Sequence, residues 1–140
     1  MDIMKANSVR AKHMPKRVLV FSHIDNVRSH IKHAIREIMS SELIEANHQQ
    51  DAIKTIKAMK IDILFFDWDK YNGNKLQMLD MINESSLNPD WKVVVVSSNF
   101  DKADVQSAIK GGANDFVLKP FSADTIQRKV KRYINNASIS

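Results

Sequence analysis

The chain has no cysteine in its 140 residues, which excludes a disulfide framework, thiolate metal sites and thiol catalysis. Glycine is scarce, at three residues. No phosphate-cradling glycine loop, nucleophile elbow or metalloprotease helix motif occurs, so an independent enzyme is not expected. No apolar run nears the roughly 18 residues that a membrane-spanning helix requires. The first residues lack the apolar core of a secretory signal. A cytoplasmic protein without a membrane partner is the expectation. Neither an internal repeat nor a low-complexity stretch is visible.

What is abundant is apolar residue and charge, 44% and 26% of the chain, with a net charge of +5. A nucleic-acid footprint needs that charge concentrated on one face. Instead, Lys5, Arg10, Lys12, Lys16 and Arg17 against Asp2 give the first 17 residues +4, which leaves +1 for everything after Arg17. The organisation expected is a basic flexible leader over 1–15, one globular domain over 16–135 and a flexible end over 136–140. No direct nucleic-acid binding is expected.

From Lys16 onward, strand-length apolar runs alternate with segments whose apolar residues recur at helical spacing, the pattern of an α/β parallel sheet wrapped by helices. Five pairs can be read. Strands are expected at Arg17–Phe21, Leu43–Ala46, Ile61–Phe66, Val93–Val96 and Phe116–Leu118, the second short, weak and at a sheet edge. Helices follow on Val27, Ile31, Ala34, Ile35 and Ile38; over roughly 49–60; from Leu76 to about Ser85; over Lys102–Lys110, stopped by Gly111 and Gly112; and on Ile126, Val130, Tyr133 and Ile134, with 135–140 as a fraying end.

In an open doubly wound sheet, ligands bind beyond the carboxyl ends of the strands. The residues there are Ser22 and His23, Asp67, Ser97 and Ser98, and Lys119. Asp67 follows six residues of which five are apolar, so its carboxylate sits at the rim of a buried strand. Carboxylates form acyl phosphates, and an amine and a hydroxyl can receive the phosphoryl oxygens. A capping or salt-bridged aspartate is the alternative.

These residues sit in segments that resemble the receiver domain of two-component response regulators. Arg17–Arg28 is similar to the family's first strand and turn, Asp62–Asp67 to the strand that ends in the phosphorylated aspartate, and Ser97 to its Thr/Ser position. Gly112-Ala-Asn-Asp-Phe-Val-Leu-Lys-Pro-Phe121 matches its final signature closely. The resemblance implies a flavodoxin-like five-stranded parallel sheet in the order 2-1-3-4-5 with five helices. It also implies a phosphoacceptor at Asp67 and a phosphoryl-binding amine at Lys119. Pro120 would follow a cis peptide bond, and Phe116 would be the aromatic partner of Ser97 in the switch.

Two positions depart from the family. Its adjacent acidic pair after the first strand, which holds Mg²⁺, is replaced by Ser22 and His23, making the chain an atypical variant. The loop Tyr71–Lys75 lacks the usual Pro-Gly-x-Asp-Gly stretch. Mg²⁺ prefers hard oxygen ligands, so its binding should be weak or absent at His23, Asp67 and the Asp69 carbonyl, with Asp25 or Asp69 able to supply a compensating carboxylate. A transition metal at His23 and Asp67 would have a thin ligand set. His30 and His33 are expected at the surface.

The implied partners are a histidine kinase or phosphotransfer protein, and a downstream protein or second copy. The output would leave through the fourth helix, fifth strand and fifth helix. The alternative is a pseudo-receiver, a protein-binding module that works without phosphorylation.

Overall fold

The computed structural model describes Pro15 and residues 17–139, with side chains as far as Ile134. Pro15 is buried and its carbonyl accepts a hydrogen bond from the Ser41 hydroxyl at 2.7 Å, so the globule includes it. The rest of the expected leader lies outside the described residues.

Ten elements alternate along the described residues. They are β1 (Arg17–Phe21), α1 (Asp25–Arg36), β2 (Glu42–Ala46), α2 (Gln49–Ala58), β3 (Ile63–Asp67), α3 (Lys75–Ser85), β4 (Lys92–Ser97), α4 (Lys102–Lys110), β5 (Asp115–Leu118) and α5 (Ala123–Ile139). All strands are parallel, in the order β2-β1-β3-β4-β5. This is the expected doubly wound sheet, with β2 at its edge. The last helix runs on through residues 135–139, past the stop expected at Ile134.

The apolar runs in β1, β3 and β4 are explained by burial on both faces, because successive side chains point to opposite sides of a strand. On one side Leu19, Phe21, Leu64, Phe66, Val93 and Val95 meet α2, α3 and α4 through Ile56, Leu79, Ile82 and Ala108. On the other, Val18, Val20, Phe65, Val94 and Val96 meet α1 and α5 through Ile31, Ile35, Ile126 and Val130. Caps fix where α3 and α4 begin: the Asn74 side chain accepts from the Gln77 amide, and Asp101 and Asp104 form a reciprocal capping box. Past α4 the chain turns at Gly112, whose φ of +94° suits glycine. A Cβ there would come within 2.6 Å of the Asn83 amide nitrogen.

Asp115 ties α5 to β5 by accepting from Lys129 at 2.8 Å, Tyr133 at 3.3 Å and Arg132 at 3.4 Å. Burial, and then the neighbouring Asp115 charge, push the Tyr133 phenol up. Its folded pKa therefore exceeds the unfolded value of about 10, and the folded state holds the proton more tightly. That contribution is present below about pH 10 and is lost as pH rises toward the folded value. Urea unfolding from about pH 9 to 11.5 should show stability falling more steeply in the wild type than in Tyr133→Phe.

Candidate active site at the carboxyl edge of the sheet

The parallel sheet brings the ends of β1, β3, β4 and β5 to one edge, and Ser22, Asp67, Ser97, Ser98 and Lys119 converge there. Asp67, the last residue of β3, is 1% exposed. One carboxylate oxygen, Oδ2, accepts from Lys119 Nζ at 2.8 Å and from the Ser22 hydroxyl at 2.7 Å. The other, Oδ1, accepts from the Asp69 backbone amide at 3.1 Å. A buried carboxylate requires this pairing, since an isolated charge in a low-dielectric site is expensive. The Lys119-Pro120 peptide bond is cis, as expected.

Ser22 is itself fully buried and held in place. Its hydroxyl accepts from the Ile24 amide at 3.0 Å, and its carbonyl accepts from the Arg28 guanidinium at 2.6 Å. Arg28 also pairs with Asp25 and with Glu45.

Ser97 faces Asp69, the residue two beyond Asp67. The Ser97 hydroxyl donates to Asp69 Oδ1 at 2.9 Å, and Asp69 Oδ2 accepts from the Ser98 amide at 2.9 Å and lies 3.1 Å from Lys119 Nζ. Burial works to raise the pKa of the Asp69 carboxyl, but the hydrogen bonds from Lys119, Ser97 and Ser98 outweigh it and hold the group below the usual carboxylate range. Sequence reasoning had given Asp69 only a backbone carbonyl or a compensating metal ligand. Asp69 sits in the turn after β3, and no residue spacing signals where its carboxylate points.

His23 does not join this cluster. Its ring contacts Phe21 and His48, at centroid distances of 5.9 and 5.8 Å, and lines an open cleft of about 470 Å³ with His48, Gln49 and Tyr71. His30 stacks on Phe121, and His33 pairs with Glu37.

Asp25 is engaged by Arg28, the Asp69 carboxylate is turned to Ser97 and Ser98, and the positions after β1 offer a hydroxyl and an imidazole. Among the described residues no group of three His, Asp or Glu could hold a metal ion. The residues present fit Mg²⁺ poorly, and the His23 ring is in contact with Phe21 and His48 rather than hydrogen-bonded to Asp67.

Phe116, half-buried on β5, meets Phe100 edge-on at 5.3 Å, and Phe100 in turn meets Trp68 at 5.6 Å. The residue next to Asp67 is thereby linked through aromatic contacts to the middle of β5. Sequence reasoning found Phe116 and missed Trp68 and Phe100, which have no regular spacing to reveal them.

A family model for the response regulator receiver domain matches residues 18–131. The chain belongs to that family. It is a CheY-like receiver domain of two-component systems. It is 24% identical to a chemotaxis protein CheY homolog of Campylobacter jejuni over 123 residues, 87% of this chain and 95% of that protein. A response regulator from Thermotoga maritima superposes with a TM-score of 0.77 at 30% identity, covering 87% of this chain and 99% of that one. A CheY-like receiver domain protein from Methanospirillum hungatei, 17% identical, shares the fold with a TM-score of 0.77 over 89% of this chain and 98% of its own. In this receiver domain the two positions after β1 are Ser22 and His23, and the aspartate at the end of β3 is Asp67.

Proposed function

We propose that Asp67 accepts a phosphoryl group from a histidine kinase or phosphotransfer protein, and that the domain signals through the surface of α4, β5 and α5. The observation that carries this reading is the position of Lys119 Nζ, 2.8 Å from Asp67 and 3.1 Å from Asp69, beside the hydroxyl of Ser97. In the transfer, an Asp67 carboxylate oxygen attacks phosphorus and forms an acyl phosphate. The bond to the donor's imidazole nitrogen breaks, and that nitrogen keeps the electron pair and takes a proton. Lys119, the Ser97 hydroxyl and the Ser98 amide are the groups suited to receive the new oxygens.

The chain is an acceptor in this scheme and not a turnover enzyme. It is an atypical receiver, since Ser22 and His23 replace the acidic pair. Mg²⁺ is bound weakly or not at all, and phosphorylation should depend little on it. Support for the output face comes from Phe116 and Leu118, which share one face of β5, with Leu118 and Ile109 of α4 both 57% exposed. That apolar exposure suits a protein partner or a second copy.

One observation favours a second reading, a binding module that works without phosphorylation: the Asp67 carboxylate is closed off from solvent. Incubation with acetyl phosphate over a Mg²⁺ titration, followed by intact mass, separates the two. A single phosphoryl adduct is expected in the wild type with little metal dependence, and none in Asp67→Asn. No adduct at any metal concentration would leave the second reading standing.

A further inference from the structure

We propose that the Asp69 carboxylate is an internal stand-in for the phosphoryl group: it occupies the Ser97 hydroxyl, the Ser98 amide and the Lys119 ammonium, and it must swing out before Asp67 can be phosphorylated. This inference rests on the acceptor reading of Asp67 and adds a gate to that same site.

Three features of Asp69 carry it. First, its partners are not those of a local turn. Ser97 and Ser98 lie at the end of β4 and Lys119 at the end of β5, so the carboxylate bridges two strands other than its own. Second, the three donors are chemically a set for an oxyanion: a hydroxyl, a backbone amide and an ammonium converging on two oxygens, each bond charge-assisted. A phosphoryl group on Asp67 would need the same donors, and the Ser97 hydroxyl and the Ser98 amide, with one hydrogen each, cannot serve both anions. Third, Asp67 is 1% exposed while the Asp69 side chain is 21% exposed. Asp69 is thus the more open of two carboxylates that share the Lys119 ammonium, and Asp67 has almost no opening of its own to an incoming donor.

The chain after Asp69 allows the movement. Lys70 adopts a φ of 66°, in the left-handed region that a residue with a Cβ disfavours. The stretch from Asn72 to Leu76 beyond it is exposed. When Asp69 swings out, its backbone amide can still donate to Asp67, so the acceptor keeps that hydrogen bond while the Ser97 hydroxyl and the Ser98 amide are freed. The gate also changes what the unphosphorylated state is. With Asp69 in place, Ser97 is already bonded to an anion, and phosphorylation exchanges one anion for another of higher charge.

The test compares wild type, Asp69→Ala and Asp69→Asn, each checked for folding by amide dispersion in NMR spectra. The Asn variant keeps the shape of the side chain and loses its charge. Two readouts are followed: the rate of adduct formation with acetyl phosphate, and the shift of the Ser98 backbone amide on titration with inorganic phosphate. Asp69→Ala should be phosphorylated about tenfold faster than wild type, the effect of removing roughly one hydrogen bond to a charged acceptor. Its Ser98 amide should respond to phosphate at about one-tenth the concentration needed in wild type, with Asp69→Asn between the two in both readouts.

If adduct forms and the three proteins react at equal rates, or the alanine variant is slower, the gate is overturned. If no protein forms adduct, the acceptor reading of Asp67 fails, and the phosphate titration decides Asp69 by itself. Tighter phosphate binding by the alanine variant then supports the stand-in, and equal or absent binding overturns it.

Discussion

Lys119→Met should destabilise the fold by about 3 kcal/mol at neutral pH and abolish stable phosphoryl acceptance at Asp67. The reason is the charge arithmetic at the carboxyl edge of the sheet. Two carboxylates, Asp67 and Asp69, share one ammonium at 2.8 and 3.1 Å, and the Asp67 side chain is only 1% exposed. Methionine keeps most of the volume of the lysine stem and removes the charge. It leaves a buried anion facing a second one with only neutral donors, Ser22, Ser97 and two backbone amides, to stabilise them. Removing one partner of a buried pair costs far more than the pair contributes when intact. Adding Asp67→Asn to Lys119→Met should therefore recover most of the loss, and the double-mutant cycle measured by urea unfolding should give a large coupling energy. If Lys119→Met unfolds at the same urea concentration as wild type, the ion pair is not what stabilises the buried carboxylate.

Phe66→Ala should cost about 3–5 kcal/mol, the range for truncating a fully buried aromatic ring. Phe66 is 0% exposed on the central strand β3. It stacks on Phe21 with ring centroids 5.0 Å apart and meets Tyr71 edge-on at 5.8 Å. The cavity would open on the face of β1 and β3 that packs against α2 and α3. It would also remove the ring against which Tyr71 rests while Tyr71 donates to Gln49 at 3.0 Å. Phosphoryl acceptance should fall together with stability, because Asp67 is aimed by the strand that carries it. Truncating the exposed Leu118 should change stability by less than about 0.5 kcal/mol. Guanidinium unfolding of the two variants side by side checks the contrast, and a Phe66→Ala loss no larger than that of Leu118→Ala would contradict the core assignment.

The parts of the fold that were legible in the sequence are those where burial dictates residue type along a whole element. Val93–Val96 reads as a strand because both faces of β4 are covered, and α4 is bounded by Asp101 and by Gly111 and Gly112. Residues 135–139 offered no apolar stripe, so the continuation of α5 could not be read from them. At the site, the convergence of Asp67, Ser97 and Lys119 followed from parallel topology alone, because strand ends must meet at one edge. The direction of side chains did not. Ser22 and His23 are adjacent, yet one is buried against Asp67 and the other turns toward His48. The engagement of Asp69 depends on how the backbone runs between Asp67 and Lys70, with its positive φ, which residue types do not specify. That a serine and a histidine follow β1 could be seen from residue types. How each side chain is engaged could not.

The acceptor role of Asp67 is tested most directly by trapping the product at residue level. After incubation with acetyl phosphate, borohydride reduces an aspartyl acyl phosphate to homoserine, and peptide fragmentation then locates it. Homoserine at position 67 alone is the result the account predicts. An unmodified Asp67, or homoserine at position 69 instead, would contradict it.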